Sequence, residues 1–498
     1  MKKYLGFRIL RSIVSLIIVT TITFILVFSL IPRHNIFMSD PVYNKVKAKP
    51  DEKIKYEEEI FKKVGYSDYY DMKAILEHTS ASKADIEAAR KGNNDQLFKD
   101  WGKSHAKQGW KLFQLPVSKQ YYAVREIPIY EMVTKFYKKM IVIDHPGKVQ
   151  DPKNPKLKRG YGFSSQYHAI TGSGTEYKYQ LWVSSKFPFI HQNVVHLDLG
   201  ISYPLYDGQK VLEVITEKQG KLAIAETTFP TGIKTNSAVD IYTAKYKPTA
   251  RISDQEKKRF NDNYVDTKNN RQDPSMITTS MIIGLAGIVI AYVVSILLGS
   301  LLARFKDTLG DRIGTTAITA LLAIPSLATI YVVNFIGSRA FGLPEKFPSL
   351  TDAAQQPISY VLPAIALGVI SGTGMILWVR RYMVDQQLSD YVKFARAKGL
   401  SEQEISMRHI LPNAMLPIIQ GVPAAIIFTI TGATMTESIF AIPGMGKMLP
   451  DAMTATCNSL VIALVFIFTS LAIIGTILGD VAITIADPRI NLVKKGEK

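Results

Sequence analysis

The chain has 498 residues, 47% of them hydrophobic, with a mean hydropathy of +0.08 and a formal charge of +18. The single cysteine, Cys457, excludes an internal disulfide and a Cys-based zinc cage. The near-zero hydropathy averages a polar block over residues 32–275 with long apolar runs on either side, which excludes an ordinary soluble globule.

The first predicted element is a membrane span. Lys2, Lys3, Arg8 and Arg11 precede an apolar stretch from Ile9 to Ile31. It is too long for the core of a secretory signal, and "FSLIPRHN" offers no small-x-small cleavage site, so the reading is an uncleaved first span.

The polar block 32–275 follows, with 40 Lys/Arg against 29 Asp/Glu. That excess serves solubility or attraction to an anionic envelope or partner surface. The stretch "DEKIKYEEEIFKKVGYSDYYDMKAILEH" from Asp51 reads as helix. A second helix is expected from Ser82, where "SKAD" has capping-box spacing. Residues 146–162 form a Pro/Gly/Lys-rich loop. From about residue 160, "EYKYQLWV" and "KLAIAETTFPTGIKTNSAVDIYTAKY" alternate as strands do, the latter around a Pro-Thr-Gly turn. The block is therefore expected to be α+β. His191 and His196 are five apart, which does not stack them on one helix face as a metal pair.

Five further apolar runs, 276–302, 313–336, 359–379, 414–435 and 460–485, are each long enough to cross a ~30 Å hydrocarbon core. With the first they predict six spans. Ala291, Ser295, Gly299 and Ala303 lay a stripe of small residues along the second span, where another helix can approach closely. Pro417 and Pro423 are expected to bend the fifth. Asp480 is the exceptional acid, late in the last span.

The short loops set the orientation. Segments 1–12, 303–312, 380–411 and 486–498 hold 17 Lys/Arg, against 3 in 337–358 and 436–458. By the positive-inside rule both termini are cytoplasmic and 32–275 is extracellular. The chain carries no G-x-x-x-x-G-K-[ST] phosphate loop; "GMGKM" at 444–448 has the wrong glycine spacing. If it moves a solute uphill, another subunit supplies the energy.

Residues 390–413, "DYVKFARAKGLSEQEISMRHILPN", connect two spans on the cytoplasmic side. "YVKFARAK" reads as a helix. Gly399 suits a left-handed C-terminal cap, and Ser401 with Glu404 fits a capping box that starts a second helix running toward Ile410 and stopping near Pro412. The segment is long for a connector. The glycine and the box interrupt the continuous apolar face that a lipid-surface helix needs. Docking of a cytoplasmic partner is the favoured reading.

These residues resemble the "EAA" loop of ABC importer permeases. Ala395, Gly399, Leu411 and Pro412 stand at the matching positions, and Lys393 and Phe394 replace the first two letters. "DYVKFARAKGL" is similar to the peptide-permease branch. So are "ESIFAIPGMGKML", which contains Glu437, Phe440, Pro443, Gly444 and Gly446, "HLDLGISYPLYDGQKVLEVI" from His196, and the closing "ADPRI". The resemblance covers about 187–498 and the first span. It is strongest to the long oligopeptide-permease subunits of streptococci, with roughly 150 residues inserted after the first span.

The resemblance implies an α-helical polytopic membrane protein, with a type I ABC importer-like domain of six helices carrying an inserted α+β extracellular domain. The division is 1–31, 32–275, 276–485 with a coupling loop at 380–412, and 486–498. It implies a plasma-membrane permease for oligopeptides working by alternating access. The implied partners are a second, homologous permease (a heterodimer), two cytoplasmic ATPases, a lipid-anchored peptide-binding protein outside, and membrane lipids, with no nucleic acid. ATP and Mg are used by the ATPases and no cofactor is bound by this chain. Ala395 to Leu400 would be the body of the coupling helix, with Gly399 as its elbow and Arg396 and Lys398 as candidate charge contacts with the ATPase groove. The 437–446 turn would lie at the outer mouth, and Asn334 and Thr429 are candidates for the path. A nickel or other small-solute importer, or a membrane-anchored ligand sensor, are the alternatives.

Overall fold

The computed structural model describes residues 2–79, 83–90, 94–143, 161–164, 169–172, 179–183, 190–192, 195–222, 224–228, 234–237, 241–248, 264–268, 271–347, 356–430 and 434–486. Helix α1 (Lys2–Leu30) opens the chain. Ile31 and Pro32 end it, because proline disfavours helical backbone in the residue before it.

In the polar block, α2 (Pro50–Val64) has Pro at its start and ends at Gly65, which adopts φ +96°. The helical reading from Asp51 is thus corrected. The chain turns at Gly65 into a strand, Ser67–Tyr70, before a short helix, Met72–Glu77. The strand lies in a three-stranded antiparallel sheet with Tyr121–Glu126 at its centre and Trp110–Gln114 beyond. Strand structure therefore begins well before residue 160. Helix α3 (Ile129–Met140) follows, fixed by Arg125, which donates to Glu131 at 2.9 and 3.1 Å and to Asp68 at 2.9 Å. The guanidinium holds the Glu131 carboxyl below the usual carboxylate range.

The expected helix after Ser82 spans Lys83–Arg90; Ser82 itself lies outside the described residues. Residues 146–160 of the expected loop also lie outside them, and Tyr161 and Gly162 begin a strand. The later strands form a larger sheet in which Ile241–Pro248 pairs parallel with Tyr179–Val183 and antiparallel with Tyr264–Lys268. Ala225–Thr228 and Lys234–Ser237 pair antiparallel, with Thr228 opposite Lys234, as the hairpin reading expects; the Pro-Thr-Gly turn is outside the described residues. The described residues of the block contain both helices and strands.

The apolar runs form helices. α4 (Met276–Arg304) and α7 (Val361–Gln387) make the closest pair. A Cβ on Gly299 would lie 2.7 Å from Val379 Cβ and 2.9 Å from the Ile376 carbonyl oxygen. One on Gly372 would lie 3.2 Å from Ala291 Cα. Ser295 Oγ donates across the gap to the Gly372 carbonyl at 2.9 Å. The stripe of Ala291, Ser295, Gly299 and Ala303 is buried in this contact.

The expected span 313–336 is not one straight helix. α5 (Leu309–Ala323) and α6 (Ser326–Phe341) meet at 106°. Pro325 cannot donate a backbone N–H, and Ile324 before it takes an extended conformation, φ −71° and ψ 129°. Five single helices are long and apolar enough to cross a membrane among the described residues, and the bent pair makes up to six.

α8 (Asp390–Ala397) and α9 (Leu411–Ile430) follow, the latter with Pro417 and Pro423 inside it. α10 (Asn458–Ala486) closes the bundle against α9 and α1. Asp480 is paired with Arg8 of α1 and accepts from Gln420 Nε2 at 3.3 Å. A Cβ on Gly479 would meet the Gln420 carbonyl oxygen at 2.5 Å.

The polar block and the bundle share cores. Phe24 of α1 and Ile462 of α10 are buried with Phe37, Phe61, Ile127 and Tyr203. Asp40 caps the next helix by accepting from the Val42 N–H at 2.8 Å, and it also accepts from Tyr56 at 2.6 Å and from Tyr203. Cys457 is fully buried; its thiol lies 2.8 Å from the Tyr203 carbonyl oxygen, and burial pushes its pKa up to about 12. It stays a protonated, unreactive thiol.

The α4–α7 contact has no room for a side chain at Gly299. Gly299→Val is expected to force the two helices apart, destabilising the bundle by about 1–3 kcal/mol. Thermal unfolding of the purified chain in detergent measures this, and an unchanged midpoint would contradict the packing described.

Candidate functional site

The segment 390–413 begins with α8, whose first turn is braced by Lys393 Nζ on Asp390 at 2.8 Å and by Tyr391 on Gln386 at 2.7 Å. It ends at Gly399 with φ +78°. The Gly399 N–H donates to the Arg396 carbonyl at 2.9 Å, and the Leu400 N–H to the Ala395 carbonyl at 3.3 Å. This paired pattern is a Schellman cap, satisfying carbonyls that the helix end leaves open.

The second arm starts two residues later. Glu404 N–H donates to Ser401 Oγ at 3.3 Å and Ser401 N–H to Glu404 Oε2 at 3.2 Å, so the capping box is formed in both directions. Arg396 does not reach outward. It clamps Glu402 across the glycine, Nε to Oε1 at 2.7 Å and Nη2 to Oε2 at 3.2 Å. The fork matches the carboxylate and fixes the angle between the arms. Lys398 is exposed.

The second helix does not stop near Pro412. Residues Ile405–Ile410 form a π-helical turn, in which the Leu411 N–H bonds to the Ser406 carbonyl, and the chain continues directly into α9. Proline brings no N–H and its ring crowds the carbonyl four residues back; the wider register of the π-turn just before it makes room, and the Asn413 side chain donates to the His409 carbonyl at 2.8 Å. The elbow and the membrane helix are therefore one continuous lever.

The elbow is seated on the bundle. Val392, Ala395, Ile405 and Ile410 are buried against Ala303 of α4, Val379 and Met383 of α7, and Ala414 and Ile418 of α9. Gln387 Nε2 donates to the Ala303 carbonyl at 3.0 Å, joining the ends of α7 and α4. Beside it, Arg380 binds Asp311 of α5 through two bonds of 2.6 and 2.5 Å, with Asp311 only 3% exposed. On the opposite face of the elbow, Phe394 is 71% and Met407 54% exposed. Leu400 and Pro412 are exposed as well, and Leu411 is half-buried.

The second predicted site is organised by a buried acid. Glu437 is 1% exposed. Its Oε1 accepts from Ser280 Oγ of α4 at 2.6 Å and its Oε2 from the Lys447 N–H at 2.9 Å, while the same Ser280 Oγ accepts from the Met445 N–H at 2.8 Å. Gly444 lies against this carboxylate; a Cβ there would be 2.4 Å from Glu437 Cδ. Phe440 is buried, its carbonyl accepting from the Phe347 N–H at 2.7 Å, and Gly446 is buried too. Pro443 presents its carbonyl to Gln219 Nε2 at 3.0 Å, which ties the end of the polar block to the turn.

The two path candidates differ. Thr429 is 6% exposed, packed where a Cβ on Gly284 would meet its Cβ at 2.2 Å, with its hydroxyl donating to the Ile426 carbonyl at 2.7 Å. It sits in a helix crossing in this conformation. Asn334 of α6 donates to the Glu345 carbonyl at 3.1 Å, and its buried carboxamide oxygen has no hydrogen-bond partner among the described residues. Sequence reasoning missed Glu402, Ser280 and the Arg380–Asp311 pair. The first lies six residues from its partner across a turn, and the others meet only through helix packing, so no local spacing reveals them.

The sequence matches the family of "binding-protein-dependent transport system inner membrane component" over residues 295–492. It is 47% identical over 503 residues, covering 100% of both chains, to the oligopeptide transport system permease protein AmiC of Streptococcus pneumoniae serotype 4. It is 33% identical over 216 residues to the dipeptide transport system permease protein DppB of Bacillus subtilis, covering 43% of this chain and 68% of that one. The oligopeptide transport system permease protein AppB of Bacillus subtilis is 34% identical over 131 residues, 26% of this chain and 42% of its own length. With a relative matched from end to end, and with the elbow and the acid-centred turn built as described, the chain belongs to the inner membrane components of binding-protein-dependent transport systems.

Proposed function

We propose that the chain is the permease subunit of an ATP-driven importer of oligopeptides. The observation that carries this reading is the elbow. Its two arms are locked to one another and seated on the ends of α4, α7 and α9, and they turn Phe394 and Met407 outward. Large apolar side chains on a polar, basic surface suit a protein groove that covers them. The chain has no phosphate loop, so the motor is a separate pair of cytoplasmic ATPases that bind ATP and Mg. The similarity to oligopeptide and dipeptide permeases supports oligopeptides as the cargo rather than nickel. The protein is a transport component, not an enzyme.

In this reading the bent pair α5–α6 counts as one crossing, giving six. Both termini are cytoplasmic and residues 32–275 extracellular, which the 17-to-3 imbalance of Lys/Arg in the short loops supports. A second, homologous permease completes a heterodimer, and a lipid-anchored peptide-binding protein delivers cargo at the 437–446 turn. Closing of the ATPases displaces the elbow. The continuous π-turn into α9 passes the movement to the helix that carries Pro417 and Pro423, and the bundle alternates between outward and inward openings. Arg396 acts inside the elbow by holding its angle, and Lys398 is the charge free to meet the ATPase. Asn334 is kept as the path candidate, a polar side chain between apolar neighbours in α6.

Reconstitution with the candidate ATPases, partner permease and receptor tests the reading. ATP hydrolysis is expected to depend on peptide-loaded receptor, and hydrolysis indifferent to it would reject the importer role.

Gly399→Val places a β-branched residue at positive φ, a cost of about 1–2 kcal/mol. A Cβ there meets nothing within 4 Å, so the cost is conformational and not steric. The variant is expected to insert normally and lose receptor-stimulated ATPase, whereas Gly399→Asn retains it; equal activity of the two would argue against the elbow. Ser401→Ala removes one half of the capping box and is expected to cost about 1 kcal/mol with uptake largely kept. Its complete inactivation would assign Ser401 a contact beyond capping. At the mouth, Gly444→Ala pushes on a carboxylate that the Ser280 hydroxyl and the Lys447 N–H hold in place. Receptor-dependent uptake should fall at least tenfold while surface expression persists, and unchanged uptake would remove the turn from the delivery site.

A further inference from the structure

A cavity of about 260 Å³ lies between the end of α1, the start of α10 and two helices of the polar block. Its floor is apolar. Phe24 stacks on Phe28 with ring centroids 4.5 Å apart and meets Phe136 of α3 at 5.8 Å, and Ile462 of α10 completes the surface. Its rim is cationic, with Lys62 and Lys63 in the last turn of α2 and Lys135 and Lys139 one turn apart on α3.

The charges are unevenly committed. Lys62 donates to the Tyr69 carbonyl at 2.9 Å and Lys135 pairs with Glu131 at 3.0 Å. The carboxylate in the lining, Asp198, is taken by Lys210 at 3.1 Å. Lys63 and Lys139 have no carboxylate partner among the described residues. These two lysines line the same cavity as the aromatic floor, with Lys63 Nζ 3.3 Å from where a Cβ on Gly208 would lie.

Depth identifies the ligand class. α1 ends at Leu30 and α10 starts at Asn458. At 1.5 Å rise per residue, Phe28, Phe24 and Ile462 lie about 3–9 Å inside the ends of their apolar helices. The lysines belong to the polar block beyond those ends. The cavity therefore straddles the boundary between hydrocarbon and water, apolar below and cationic above. A soluble anion would leave the floor unused, and a zwitterionic lipid would leave the rim charge unmatched.

We propose that this cavity binds an anionic phospholipid from the leaflet that faces the inserted domain, its phosphate at the Lys63 and Lys139 rim and an acyl chain against Phe24 and Phe28. The bound lipid fills the seam between the domain and the two helices it stands on. The site is separate from the coupling elbow and does not rest on the transport reading.

Native mass spectrometry of the purified full chain tests it, with phosphatidylglycerol and phosphatidylcholine of identical acyl chains, and with glycerol 3-phosphate as the free headgroup. Phosphatidylglycerol is expected to be retained in preference. Lys63→Gln and Lys139→Gln should each weaken it about 5-fold, and the pair about 25-fold. Lys99→Gln with Lys107→Gln, on the exposed face of the same domain, should leave it unchanged. Equal retention of the two lipids by the unaltered chain, or an equal loss in the Lys99/Lys107 control, would overturn the site. Competition by glycerol 3-phosphate as effective as by the phospholipid would overturn the lipid assignment. The single variants keep the test decisive if the double variant fails to fold.

Discussion

The close approach of α4 and α7 is the contact on which the rest of the molecule depends. Lipid tails are as apolar as leucine, so membrane helices gain little by hiding apolar surface and associate through close packing and interhelical hydrogen bonds. Gly299 against Val379, Gly372 against Ala291 and Ser295 against the Gly372 carbonyl supply both. The ends of the same two helices, at Ala303, Val379 and Met383, then form the seat of the elbow. Ser280 near the other end of α4 holds the Glu437 carboxylate. One helix pair thus frames the proposed coupling site and the proposed mouth.

The elbow is braced by local bonds and joined to the bundle by non-local packing. Its Schellman cap, its capping box and the Arg396–Glu402 clamp are formed within about fifteen residues and make the two arms one body. The uninterrupted run from Glu402 through the π-turn into α9 gives that body a membrane lever. A helix that stopped at Pro412 would have left a joint there. The prolines deeper in α9 give the bundle a place to bend, next to Gln420 and the Asp480–Arg8 pair that link α9, α10 and α1.

The polar block is built into the bundle rather than tethered to it. Its core continues into Phe24 and Ile462, its Asp40 is clasped by Tyr56 and Tyr203, and Cys457 at the head of α10 is buried under Tyr203. A movement of α1 or α10 is therefore felt at the base of the block, and a lipid at the lysine-rimmed cavity would sit in that seam.

The sequence by itself determined what local chemistry controls. Apolar run length identified membrane-crossing helices, small residues four apart identified the face of α4 that packs, and glycine followed by Ser-x-x-Glu identified the elbow with its cap and box. Each signal acts within a turn or two of helix, so it is readable without the fold. Alternation likewise revealed the later strands, but Ser67–Tyr70 was masked by the helical composition around it. The tertiary structure alone decided the partners. Ser280 and Glu437 are 157 residues apart, and Cys457 and the Tyr203 carbonyl 254. Arg8 meets Asp480 only because α1 lies on α10. The 106° bend at Pro325 follows the same rule: proline marks where a helix breaks, and the packing around it sets the angle. Such contacts depend on which faces meet in space, and no spacing along the chain encodes that.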